Sequence, residues 1–108
     1  MKTGDIVLIP FPFAELTNKK VRPSVVVCET NDAYKDLILC AISSVITPTL
    51  SPSDVLLLPD NVNGLRKNSL LKIDRIVTAK KEDIIAKIGE LNDFYLATFR
   101  EKFKKLID

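Results

Sequence analysis

The chain has 108 residues, enough for one domain with its own core and too few for two. Hydrophobic residues make up 46% and charged residues 28%, a balance that excludes a disordered chain. Sixteen Lys and Arg against 14 Asp and Glu leave a net charge of +2, too small to argue for nucleic-acid binding unaided.

Gly4-Asp5 opens onto Ile6, Val7, Leu8 and Ile9, a short apolar run that reads as a buried strand. Pro10 and Pro12 end it, because proline has no N–H for the ladder. Phe11 to Val21 reads as a loop that ends in Lys19 and Lys20. Arg22 to Glu29 is a second strand around the β-branched Val25, Val26 and Val27. Asn31-Asp32 marks a turn, and Asp36 to Ser44 a third strand. Thr47 to Ser53, with its prolines, serines and threonines, is a loop.

Asp54 to Leu58 makes a fourth strand, Pro59 to Gly64 a turn, and Ser69 to Asp74 a fifth strand that Arg75 to Thr78 continues or follows. Lys80 to Ile84 reads as one helical turn and Ile85 to Leu91 as a last short strand. Asn92 or Asp93 then caps a helix, in which Leu96, Phe99, Phe103 and Leu106 recur at the spacing of one apolar stripe. Lys102, Lys104 and Lys105 are expected on its exposed face. The pattern predicts a mainly β domain over 1–108: a small antiparallel barrel closed or covered by a C-terminal helix.

Cys28 and Cys40 lie in apolar runs and read as small buried hydrophobes in a reducing compartment, with a disulfide between neighbouring strands as the alternative. No apolar stretch approaches the roughly 20 residues that span a bilayer, so no membrane contact and a cytoplasmic address are expected. The chain has no histidine, which excludes a Ser-His-Asp triad and a histidine acid–base pair. Two isolated cysteines cannot fill a zinc site, so no metal and no cofactor are expected.

The series GDIVLIPFPF, RPSVVV, CAISS, SLLKIDRIVT and KIGELND, in that order from Gly4 to about Lys102, resembles the MazF/PemK family of toxins from toxin–antitoxin pairs. The resemblance implies an SH3-like barrel and a homodimer. It implies an endoribonuclease that cuts single-stranded RNA at short sequences and is neutralised by a cognate antitoxin. DNA contact is expected only from a toxin–antitoxin complex at its own operator. Two alternatives stand beside this: a CcdB-like barrel that poisons a protein such as DNA gyrase, and an inactive relative that binds RNA or regulates.

Arg22, before Pro23, matches the family's active-site arginine, and a guanidinium offers a phosphate a fixed fork of donors. Taken by position alone, it reads first as a solvated arginine at a strand start. Ser43 in CAISS stands where the family commonly has threonine; its hydroxyl can meet a phosphate oxygen or satisfy nearby backbone. Lys72 and Asp74 lie two apart in a strand, so a regular pleat places them on one face, as site residues or as a surface ion pair. Phe11 either stacks on a base or anchors its loop on the core, and it joins Lys19 and Lys20 as an RNA-binding candidate. The expected chemistry is attack by the RNA 2′-hydroxyl on its own phosphate, with no metal ion.

Overall fold

A computed structural model of the chain describes residues 1–10 and 21–108. Among the described residues six strands are present: β1 (Asp5–Pro10), β2 (Val21–Glu29), β3 (Leu37–Ser43), β4 (Asp54–Leu57), β5 (Ser69–Ala79) and β6 (Ala86–Glu90). A single 3-10 turn, Lys81–Asp83, separates β5 from β6, and helix α1 (Asp93–Lys105) follows. The strands form one antiparallel sheet in the order β4-β5-β3-β2-β1-β6, curled into a half-barrel. The mainly β domain with a C-terminal helix is therefore present. Among the described residues no helix is long and apolar enough to cross a membrane.

The helix starts where its side chains dictate. The Asn92 side chain accepts the backbone N–H of Tyr95 at 2.8 Å, satisfying one of the first-turn donors that have no partner within the helix. Phe99 is buried in a cluster with Ile6, Val25, Cys40, Ile42, Val55, Leu57, Leu71, Ile73 and Leu91. Leu96, Phe103 and Leu106 pack against the same cluster, so the whole predicted stripe faces the sheet. Burying the Phe99 ring contributes about 1.5–3 kcal/mol. Val7, Ile9, Val26, Leu37 and Leu39 form a second cluster.

The ladder shifts register in three places, between β1 and β6, between β2 and β3, and between β3 and β5, and simple alternation fails there. The β2–β3 register shifts between Val26 and Cys28, and Cys28 is exposed rather than buried as its apolar surroundings suggested. Cys40 is fully buried and its thiol donates to the Ile73 carbonyl at 3.4 Å. Burial first, and the Asp74 carboxylate second, push the Cys40 thiol up to about 12, so it stays a neutral core group. Both cysteines are free.

The larger break lies between β3 and β5. Cys40 pairs with Ile76 but Ala41 pairs with Lys72, so Ile73, Asp74 and Arg75 have no partner on β3. The backbone N–H of Ile73 turns instead to the Ser53 carbonyl at 3.0 Å.

The 58–64 turn closes onto β6. The Glu90 N–H donates to the Val62 carbonyl at 2.9 Å, while Asn63, fully buried, donates to the Leu58 carbonyl at 2.9 Å. The approach leaves no room for side chains. A Cβ on Gly89 would collide with the Val62 carbonyl oxygen and lie 2.6 Å from that of Asn63.

Candidate functional site

The register defines rows of side chains across the sheet, and one face carries most of the polar candidates. Ile9 pairs with Arg22, and Ser43 pairs with Leu70, which pairs with Leu56. The β2–β3 ladder sets Ser24 opposite Ala41; continuing that register by two residues brings Arg22 level with Ser43. The pairing itself ends at Ser24 and Ala41, so Arg22 and Ser43 stand on adjacent inner strands two residues beyond it. The next row on the same face runs Val7, Ser24, Ala41, Lys72, Asp54 through five strands.

Arg22 is partly exposed and makes no ion pair with any other described residue. Ser43 is also partly exposed, and its Oγ accepts the Val45 N–H at 3.1 Å, a local turn at the end of β3. The Ser24 hydroxyl, fully buried in the neighbouring row, has no hydrogen-bond partner among the described residues. Leaving such a group unpaired costs about 1–3 kcal/mol.

Lys72 is not a free cation. Its Nζ lies 3.3 Å from Asp54 Oδ1 and 3.4 Å from Oδ2, and Asp54 is buried. Its charge is therefore largely offset before any anion arrives, and loss of this pairing would leave a buried carboxylate alone. Burial raises the Asp54 carboxyl. The Ser51 N–H and the Lys72 ammonium together outweigh that effect and hold it below the usual carboxylate range. A carboxyl depressed in the folded state contributes stability above its unfolded pKa, about 3.9, and loses it as pH falls through the folded value. Wild-type protein should thus lose melting temperature on acidification below about pH 4, and the loss should be shallower in Asp54→Asn. Calorimetric melts at stepped pH measure the slope, and equal slopes would count against this pair.

Asp74 lies in the unpaired stretch of β5 and is exposed. The spacing argument that placed it beside Lys72 assumes a regular pleat, which stops at that point. Arg75, next to it and also exposed, had no signal to single it out. Phe11, Lys19 and Lys20 lie outside the described residues.

The helix lysines divide. Lys104 is exposed, and Lys105 pairs with Glu101 at 3.1 Å on the surface. Lys102 departs from the expected solvated face: its Nζ donates to the carbonyls of Pro52 at 3.0 Å and Asp54 at 3.1 Å. Sequence spacing carries no trace of a contact between residues 50 apart.

A family model described as PemK-like, MazF-like toxin of type II toxin–antitoxin system matches residues 2–107. No curated protein matched the sequence. Three solved structures are similar. An endoribonuclease in complex with its cognate antitoxin, from a mycobacterial species, superposes with a TM-score of 0.73 at 15% identity, covering 99% of this chain and 94% of that one. Mycobacterium tuberculosis toxin MazF-mt6 gives 0.69 at 18% identity, covering 96% of both chains. MazF from Deinococcus radiodurans gives 0.70 at 20% identity, covering 99% of this chain and 96% of that one. At these identities the structures bear on the fold.

Proposed function

Because the chain belongs to the PemK-like, MazF-like toxin family of type II toxin–antitoxin systems, we propose that it is a toxin endoribonuclease that cuts single-stranded RNA at short sequences. The observation that carries this reading is the placement of Arg22 level with Ser43 on inner strands, with both side chains partly exposed. A guanidinium and a hydroxyl held on paired strands suit a phosphodiester, since strands fix positions better than loops do.

In the proposed reaction the 2′-hydroxyl oxygen bonds to the adjacent phosphorus and the bond from phosphorus to the 5′ oxygen breaks. The 2′ proton passes to water, and the departing 5′ oxygen takes a proton from water. Arg22 stabilises the charge that builds on the phosphoryl oxygens, a role suited to a side chain that does not deprotonate. Ser43, whose Oγ accepts the Val45 N–H, donates its hydroxyl hydrogen to the same oxygens. Lys72, matched by Asp54, supports the site from the next row instead of supplying net charge to it.

The substrate supplies its own nucleophile, so the route needs no bound metal. The chain has no histidine, and its carboxylates are spread along the sequence, which suits this route. Cleavage should proceed at full rate in excess EDTA. Replacing the ribose at the cut site by its 2′-deoxy form should abolish it. Mass spectrometry of the fragments should find a 2′,3′-cyclic phosphate and a 5′-hydroxyl; a 5′-phosphate end, or activity lost on chelation, overturns the mechanism.

The reading extends to partners. The active form is a cytoplasmic homodimer, and a cognate antitoxin segment folds across Arg22 to block it. DNA contact belongs to the toxin–antitoxin complex at its operator.

A further inference from the structure

Residues 44–53 join β3 to β4, and both strands run antiparallel to the β5 strand between them. The two are therefore parallel to each other, and their connection has to cross β5. It does so without helix or strand of its own, and it exposes Val45, Ile46 and Leu50. It also departs directly from Ser43, beside Arg22.

An exposed crossover of this length would ordinarily be free to move. This one is fixed at both ends. At its start Ser43 Oγ accepts the Val45 N–H at 3.1 Å. At its end Asp54 Oδ2 accepts the Ser51 N–H at 3.0 Å and also binds Lys72. The Ser53 carbonyl accepts the Ile73 N–H at 3.0 Å, and Lys102 reaches from the helix to the carbonyls of Pro52 and Asp54. Two ammonium groups, from β5 and from α1, thus converge on the last turn of the crossover.

We infer that Lys72 and Lys102 are positioning residues for RNA recognition: through the end of the 44–53 crossover they hold its apolar residues Val45, Ile46 and Leu50 where a single strand meets Arg22. The inference rests on the ribonuclease reading. Neither lysine touches the phosphate in this account. A loosened crossover has to be ordered again when RNA binds, so the effect falls on binding and not on the chemical step.

The test compares Lys102→Met, Lys102→Arg and Lys104→Met on an RNA oligonucleotide that carries the wild-type cleavage site. Lys102→Met keeps the stem and removes the donor. It should raise KM by about 10-fold with kcat within about twofold. Lys102→Arg should restore most of the loss. Lys104→Met removes the same charge from the exposed face and should leave KM unchanged, which separates positioning from general attraction. The double variant Lys72→Met/Asp54→Asn avoids a lone buried charge and should raise KM in the same way.

Hydrogen exchange at the amides of 45–53 should quicken in Lys102→Met while α1 and the sheet keep their protection. A Lys102→Met protein with unchanged KM, or with a lowered kcat at constant KM, overturns the inference while the wild-type activity stands. A wild-type protein that cuts no RNA removes the ribonuclease reading, and this inference with it.

Discussion

Arg22→Ala should leave the sheet intact and slow RNA cleavage by about 100-fold or more, the usual loss when one donor to a developing oxyanion is removed. The side chain is partly exposed at the start of β2, and its backbone pairs with Ile9 whatever the side chain is. The melting temperature should therefore change little. Arg22→Lys should fall between the two, since lysine keeps the charge and loses the planar fork. Ser43→Ala should cost less, because that hydroxyl is shared with the Val45 N–H. Initial rates on an RNA oligonucleotide, taken beside thermal melts, measure both halves. An Arg22→Ala protein that cuts at the wild-type rate would place the reacting phosphate elsewhere.

Gly89→Ala should destabilise the fold by about 3 kcal/mol or more, at the upper end for overpacking. The added methyl would meet main-chain atoms of Val62 and Asn63, and main chain cannot rotate aside as a side chain can. The turn it meets is itself held. Asp60 accepts the N–H groups of Val62 and Asn63 at 2.9 and 2.7 Å, and the Asn92 side-chain amide at 2.9 Å. Separating β6 from this turn would also release the hydrogen bond from Glu90 to Val62. Urea unfolding curves give the difference directly, and a midpoint within experimental scatter of wild type would show that the turn yields.

Period and chemistry made some elements legible from residues alone. The helix was visible because Leu96, Phe99, Phe103 and Leu106 share a face only at helical spacing, and because Asn92 is a residue type that caps. Val25 to Val27 marked a buried strand by β-branching. The bulges were not legible. Ile73, Asp74 and Arg75 continue the composition of a strand, and only the partner strand reveals that they stand unpaired. Cys28 misled for the same reason.

At the site, Arg22 and Ser43 are nominated by the family resemblance, but their being level depends on the β2–β3 register. The Lys72–Asp54 pair joins residues 18 apart through an edge strand, and no local pattern encodes it. Asn63, a polar residue in what reads as a solvated turn, is fully buried because both ends of its side-chain amide find backbone partners.

The position of β6 beside β1 has a consequence for synthesis. Asp5 pairs with Glu90 and Ile6 with Gly89, so the first strand made waits for almost the last one. Until then β1 has only β2 beside it, and the carboxylate of Asp5 lacks Lys87, which lies 3.2 Å away in the finished sheet. Such distant pairings make folding slow compared with the growth of local structure.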